Sequence, residues 1–290
     1  MLKIGESELF LNNRGAVYHL NLIPEEIADT IITVGDPARV KKVSQYFDQI
    51  LHTSTHREFI THTGRIGSKK ITVISTGIGT DNIDIVMNEL DALANINLVE
   101  RKEKLERKNL NIIRLGTSGT IQEHIPVDSF VVSTHAIGMD NLMHFYPFVN
   151  TDEEREISRA FSAHTHLQGN LSTPYVFGAS AFMLAKFAGN AHAGITVSCP
   201  GFFGPQGRVL RAGLSMPNFI DELTTFSLGN HRVLNLEMET SGIYGMSKIL
   251  GHQSISISLV IANRIRNVFS SNIEVMMDKL IKQTLENISH

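Results

Sequence analysis

The chain has 290 residues, with 26 Lys and Arg against 29 Asp and Glu, a formal net charge of −3, 42% hydrophobic and 19% charged residues. This composition excludes intrinsic disorder and collagen-like structure, and a chain of this size removes roughly three quarters of its surface from water on folding. The near-neutral balance supplies no basic field for a polyanion, so no nucleic-acid partner is expected, and the single cysteine, Cys199, forbids an intrachain disulfide or a multi-cysteine zinc site.

Short β-branched runs alternate with segments of helical period. The first strand, 30–34, precedes a helix whose apolar residues Val40, Val43 and Phe47 recur every three or four positions. Further strands are expected at 70–75, 111–115, 130–134, 192–198, 232–236 and 254–262. Helices are expected over 82–108, 152–165, 179–188, 217–226, 240–250 and 273–288. This is the rhythm of an α/β sheet. No repeat or Pro/Ser-rich linker interrupts it, so residues 1–290 read as one domain. The charged run from Glu100 to Lys108 pairs Glu100 with Lys104 and Glu103 with Arg107, the pattern of a solvated helix end. His164 and His166, two apart on a helix, diverge, and no metal site is expected there. No apolar run reaches 18 residues and the first eight residues lack a signal peptide's pattern, so a soluble cytoplasmic protein with no membrane partner is expected.

Three glycine-containing turns follow apolar strands: Gly35-Asp-Pro-Ala-Arg39, Thr76-Gly-Ile-Gly79 and Gly116-Thr-Ser-Gly119. In the first, Asp36 can cap a helix with Pro37 at its first position, leaving backbone N–H groups and Arg39 available to an anion. The second imitates the start of a dinucleotide fingerprint, but Asn82 ends it and no acidic residue follows at the required distance. Before the third, Arg114 interrupts an apolar run, and a guanidinium there needs an anion, either an internal carboxylate or a bound ligand. Arg57 is either an exposed strand residue or a third cation for the same dianion, with the Thr117 hydroxyl. Glu237 and Glu239 share a face if extended and could accept from a sugar diol; alternatively both favour the start of the following helix. The loop 201–208 carries Phe202, Gln206 and Arg208, a set able to stack on a planar base and match its donors and acceptors.

Together these segments resemble the nucleoside phosphorylase-I family, and within it the members that cleave uridine. The likeness runs from Val17-Tyr-His-Leu20 through Gly35–Arg39, His56-Arg-Glu-Phe59, Ser75–Gly79, Arg114–Gly119, Phe202–Arg208 and Asn235-Leu-Glu-Met-Glu239 to Val260-Ile-Ala-Asn-Arg264. The resemblance implies a three-layer αβα sandwich around a mixed, partly barrel-like sheet, and reversible phosphorolysis of a nucleoside to base and ribose 1-phosphate. It implies phosphate against Gly35, Arg39, Arg114, Thr117 and Arg57, and ribose between Met238 and Glu239 with His19 at the 5′ hydroxyl. Uracil is implied at Gln206 and Arg208 under Phe202. Arg57 and His19 are implied to come from a neighbouring subunit of a homo-oligomer, a dimer or a hexamer of dimers. Inorganic phosphate would be co-substrate, with no organic cofactor. Asn82 stands where a serine helps bind potassium in some members, which argues against a monovalent cation near Glu58. The rivals are a purine phosphorylase or nucleosidase, which commonly places an aspartate where Asn263 stands, and a nucleoside-binding protein without catalysis.

Overall fold

The computed structural model describes residues 3–167 and 173–289. In chain order the elements are β1 (Thr30–Val34), α1 (Pro37–Ser44), β2 (Gln49–His56), β3 (Phe59–Ile66), β4 (Lys69–Ser75), α2 (Thr80–Asn95), β5 (Ile96–Asn97) and β6 (Lys102–Glu103). There follow β7 (Asn111–Thr120), β8 (Phe130–Gly138), α3 (Asp152–His164), β9 (Tyr175–Gly178), α4 (Ala181–Phe187), β10 (His192–Ser198) and α5 (Phe219–Thr225). The last are β11 (Ser227–Leu228), β12 (His231–Glu237), α6 (Thr240–Leu250), β13 (Gln253–Asn263), β14 (Val268–Phe269) and α7 (Ile273–Ser289).

The main sheet runs β11-β12-β10-β8-β13-β7-β1-β4-β3-β2, with parallel and antiparallel pairs mixed. β12 also pairs antiparallel with β7, Asn235 opposite Thr120 and Leu236 opposite Gly119, which closes β7, β13, β8, β10 and β12 into a ring. The expected mixed, partly barrel-like sheet is thus present. Side chains alternate across it. Ile31, Ile74 and Ile112 pack toward α2 and α6, while their neighbours Ile32, Val73 and Ile113 pack toward α1, α4 and α7. A polar chain crosses the ring: Ser133 to Thr196 at 2.5 Å, Thr196 to Asn235 at 2.7 Å, Asn235 to Ser118 at 2.8 Å. Each hydroxyl or amide there has a partner, which is what permits polar burial.

Three differences from the sequence reading have local causes. The helix expected over 82–108 ends at Asn95, whose amide donates to Asp91 Oδ1 and the Lys108 carbonyl. Asn97 Oδ1 then accepts from the N–H groups of Val99 and Glu100, turning the chain into the β5–β6 hairpin. Lys104 does not pair with Glu100; its ammonium donates to the Leu93 and Ala94 carbonyls at the end of α2. Glu103 and Arg107 do pair, at 2.5 Å, outside a helix. The segment 116–119 is not a turn but the interior of β7. Finally, β2 and β3 form a hairpin, and β9 and β14 add short strands, none of which the apolar pattern marked.

Candidate active site

A cleft of about 1040 Å³ opens at the carboxyl ends of β1, β4 and β12 and along β7. Parallel strands place their ligand sites at such ends. Gly35 and Arg39 line it from the β1–α1 junction, where Asp36 caps α1 by accepting from the Ala38 N–H at 2.9 Å. Gly77 and Gly79 turn the chain after β4 with φ of 71° and 93°, a left-handed backbone that glycine adopts freely. Arg114, Gly116, Thr117 and Gly119 of β7, Met238 and Glu239 after β12, and Phe202, Gln206 and Arg208 complete the expected residues that line the cleft.

Arg114 lies at its floor, buried, with Nη2 3.0 Å from Glu237 Oε2 and 2.5 Å from Glu239 Oε2. Nη1 reaches Ser258 Oγ at 3.3 Å. Gly116 makes this possible: a Cβ there would stand 1.9 Å from Nη1. Burial pushes the guanidinium pKa down, but Glu237 and then Glu239 overcome this and hold it above its ordinary value. The two carboxylates are not equivalent strand neighbours. Glu237 ends β12 and accepts from Ser198 Oγ and from the N–H groups of Glu239 and Thr240, serving the start of α6. Glu239 has left the strand, and its Oε1 accepts from the Gly79 N–H at 2.8 Å. Burial raises its carboxyl pKa, and the attraction of Arg114 only partly offsets that. The internal-salt-bridge reading of Arg114 therefore holds, on the wall of the cleft itself.

Arg39 donates to the Leu115 carbonyl at 3.3 Å. Its pKa is lowered by burial, with nearby Arg114 adding to the effect against the opposing pull of Asp36. Two guanidinium groups held near one another favour an anion between them. At the other end, Arg208 Nη1 donates to Gln206 Oε1 at 2.6 Å and to the Phe202 carbonyl, and its guanidinium covers the Phe202 ring at 3.9 Å. Burial, then Arg264, brings Arg208 down to about 10. Arg264 donates to the Gln206 and Gly207 carbonyls. Arg264, the residue after β13, also lines the cleft; its place at the end of the Val260–Arg264 motif is the sequence signal for it.

Two expected residues lie outside this cleft. Arg57, in the left-handed β2–β3 turn at φ 55°, points its Nη2 to the Tyr18 hydroxyl at 3.3 Å, while Glu58 of the same turn faces the cleft. His19 is held by Glu89, Nδ1 to Oε1 at 2.7 Å. Arg57, Tyr18 and His19 thus form a separate, partly exposed group. Asn263 does not line the cleft. Its amide donates to the Gln122, Glu123 and Ile125 carbonyls and its Oδ1 accepts from Ile265 and Arg266, so it fixes a loop. Cys199 is buried, and burial raises its thiol pKa far above the ordinary value, so it offers no thiolate.

Paired arginines and a buried carboxylate in a cleft at the strand ends of a half-closed mixed sheet are the layout of an α/β protein with a site for small polar, anionic ligands. The family model described as "Phosphorylase superfamily" matches residues 29–282, and the chain belongs to that superfamily. It is similar to the uridine phosphorylase of Thermococcus kodakarensis, 29% identical over 255 residues covering 88% of this chain and 80% of the relative. The Escherichia coli uridine phosphorylase is 27% identical over 256 residues, 87% of this chain and 88% of that one. A crystal structure of a Trypanosoma brucei nucleoside phosphorylase, described as showing uridine phosphorylase activity, superposes with a TM-score of 0.89 at 31% identity, over 97% of this chain and all of that one.

Proposed function

We propose that the protein is a uridine phosphorylase, converting uridine and inorganic phosphate reversibly to uracil and ribose 1-phosphate. The observation that carries this reading is the spacing of two cationic ends along one strand. Gly116 faces the Arg114 guanidinium, and Gly119, with a Cβ position 3.7 Å from Arg208 Nη2, faces the other. Three strand residues span about 10 Å. That distance accommodates a phosphate at one end and a base at the other, with ribose between.

In this reading Arg39, Arg114, Thr117 and the Gly35 backbone hold phosphate below the sugar. A phosphate oxygen bonds to C1′ as the C1′–N1 bond breaks, and the bonding pair leaves with uracil. Glu239 accepts from the ribose hydroxyls beside Met238, and Arg208, Arg264 and Gln206 face the charge growing on the base. Gln206 Oε1 already accepts from Arg208; its second lone pair suits uracil N3–H and its amide N–H₂ a carbonyl. Phe202 covers the ring. No side-chain nucleophile and no organic cofactor take part, and no monovalent cation is required near Glu58. The whole chain, 1–290, serves as one cytoplasmic catalytic domain. His19 and Arg57, turned away from their own cleft, serve the cleft of a neighbouring copy in a dimer or hexamer of dimers.

Incubation with uridine, with and without phosphate, while following uracil release tests this directly. Release only with phosphate, and far faster than base release from cytidine or inosine, is expected. Equal release without phosphate would make the protein a nucleosidase, and faster release from inosine would make it a purine enzyme.

A further inference from the structure

A second cavity, of about 830 Å³, lies at the opposite end of the ring from the nucleoside cleft. His231 begins β12 and Glu237 ends it, so six strand residues, about 20 Å, separate the two. Three side chains from three elements converge on its wall. They are His135 from the middle of β8, His231 from the start of β12, and Glu153 from the first turn of α3. Their ligand-capable atoms all lie within 4.8 Å of one another. His231 Nε2 is 3.2 Å and His135 Nε2 is 3.9 Å from the same oxygen, Glu153 Oε1. The imidazole rings stand 5.1 Å apart, edge to face.

β8 and β12 are not neighbours; β10 runs between them, and there it presents only Ala193 and Gly194 to the cavity. Gly178 is paired with His135 across the β8–β9 ladder and lies beside its ring. His135 is 9% exposed, and neither ring nitrogen has a hydrogen bond among the described residues; Nδ1 is fully buried without a partner. Nε2, which lies toward Glu153 and the cavity, is the ligand atom this ring offers to an ion. Among the described residues that line the cavity, the one ammonium, that of Lys248, is already neutralised by Glu154 at 2.5 Å.

We infer that His135, His231 and Glu153 form a binding site for a borderline divalent transition ion of the zinc class. Ligands on a tetrahedral zinc, about 2.0–2.1 Å from the metal, lie roughly 3.3 Å from one another, and two imidazoles with one carboxylate are a recurrent zinc set. Glu153 is exposed and its oxygen already lies near both rings, so small rotations of the carboxylate and of the two imidazoles bring the set to that spacing. The fourth position faces the cavity and is left to water. The ion ties the start of α3 to two strands of the ring.

The tag-free protein, stripped with chelator, is titrated with Zn²⁺ by calorimetry and with Co²⁺ by visible absorption. One ion per chain, the intense d–d bands of four-coordinate Co²⁺, and a metal-dependent rise in melting temperature are expected. Glu153→Gln and His231→Ala, both at the surface end of the site, should each weaken binding at least tenfold. Uridine cleavage by these metal-free variants should match that of the metal-free parent. Stoichiometric binding that survives in both variants would place the ion elsewhere, and absence of stoichiometric binding in the parent would overturn the site outright.

Discussion

Replacing Arg114 by alanine removes the one cation shared by two buried carboxylates. Glu237 would keep its Ser198 and backbone donors, and Glu239 its Gly79 N–H, but the charge of both would lose its partner. Breaking a buried ion pair from one side costs about 3–5 kcal/mol. At about 2.1 cal/mol/K per residue, a chain of this length has an unfolding entropy near 0.6 kcal/mol/K, so the melting temperature should fall by roughly 5–8 °C. The loss depends on pH. The Glu239 pKa is raised in the folded protein and would rise further without Arg114, so folding then favours the protonated acid. Stability from such a group is present below its unfolded pKa and is lost as pH rises through the folded one. The deficit should therefore be smallest at or below pH 4.5, the ordinary glutamate value, and grow toward neutrality. Phosphorolysis should fall roughly 30- to 1,000-fold, or about 2–4 kcal/mol. Calorimetric melts at several pH values, with phosphate titrations, measure both. Arg114→Met combined with Glu237→Gln and Glu239→Gln should regain part of the stability and none of the activity. A variant melting within a degree of the parent, with an unchanged KM for phosphate, would refute this account of Arg114.

Gly116→Ala should reproduce the catalytic loss without removing the charge, because the new methyl occupies the place of Arg114 Nη1; steady-state kinetics with varied phosphate would show it, and parental kinetics would mean the guanidinium has another seat. Arg57→Ala and Glu239→Ala proteins, each inactive, should recover part of the activity when mixed under subunit exchange, whereas an active monomer by sedimentation would end the shared-site reading. Asn263→Asp should cost at least about 2 kcal/mol in thermal unfolding, since a carboxylate would face three carbonyl oxygens, and it should confer no cleavage of inosine; gain of inosine cleavage would return residue 263 to the base site.

The elements readable from sequence were those whose signal is local. Thr30–Val34 and the start of β7 are apolar on both faces because both faces are covered by helices, and Asp36-Pro37 is a complete cap within two residues. β2 escaped because it lies at the sheet edge with most of its residues in solvent, so no apolar alternation was needed. The end of α2 depended on Asn95 meeting Lys108, thirteen residues away. The partners of Arg114 lie 123 and 125 residues further on, and those of Asn263 about 140 residues back, so type and spacing could suggest a charge site but not who neutralises it. His135 and His231 are likewise remote in sequence and come together across β10, on strands that are not neighbours.

The position of β13 has a consequence for how the molecule is made. It is nearly the last strand synthesised, yet it lies in the middle of the sheet, parallel to β7 on one side and antiparallel to β8 on the other. Until it emerges, β7 and β8 each offer a row of unsatisfied backbone groups to any passing strand. Roughly 140 residues separate the end of β7 from the end of β13, which at ribosomal speeds is about 7–30 s of exposure. The nascent chain is thus an open-edged intermediate for about half of its synthesis, and a product truncated before β13 is expected to be aggregation-prone material instead of a smaller enzyme.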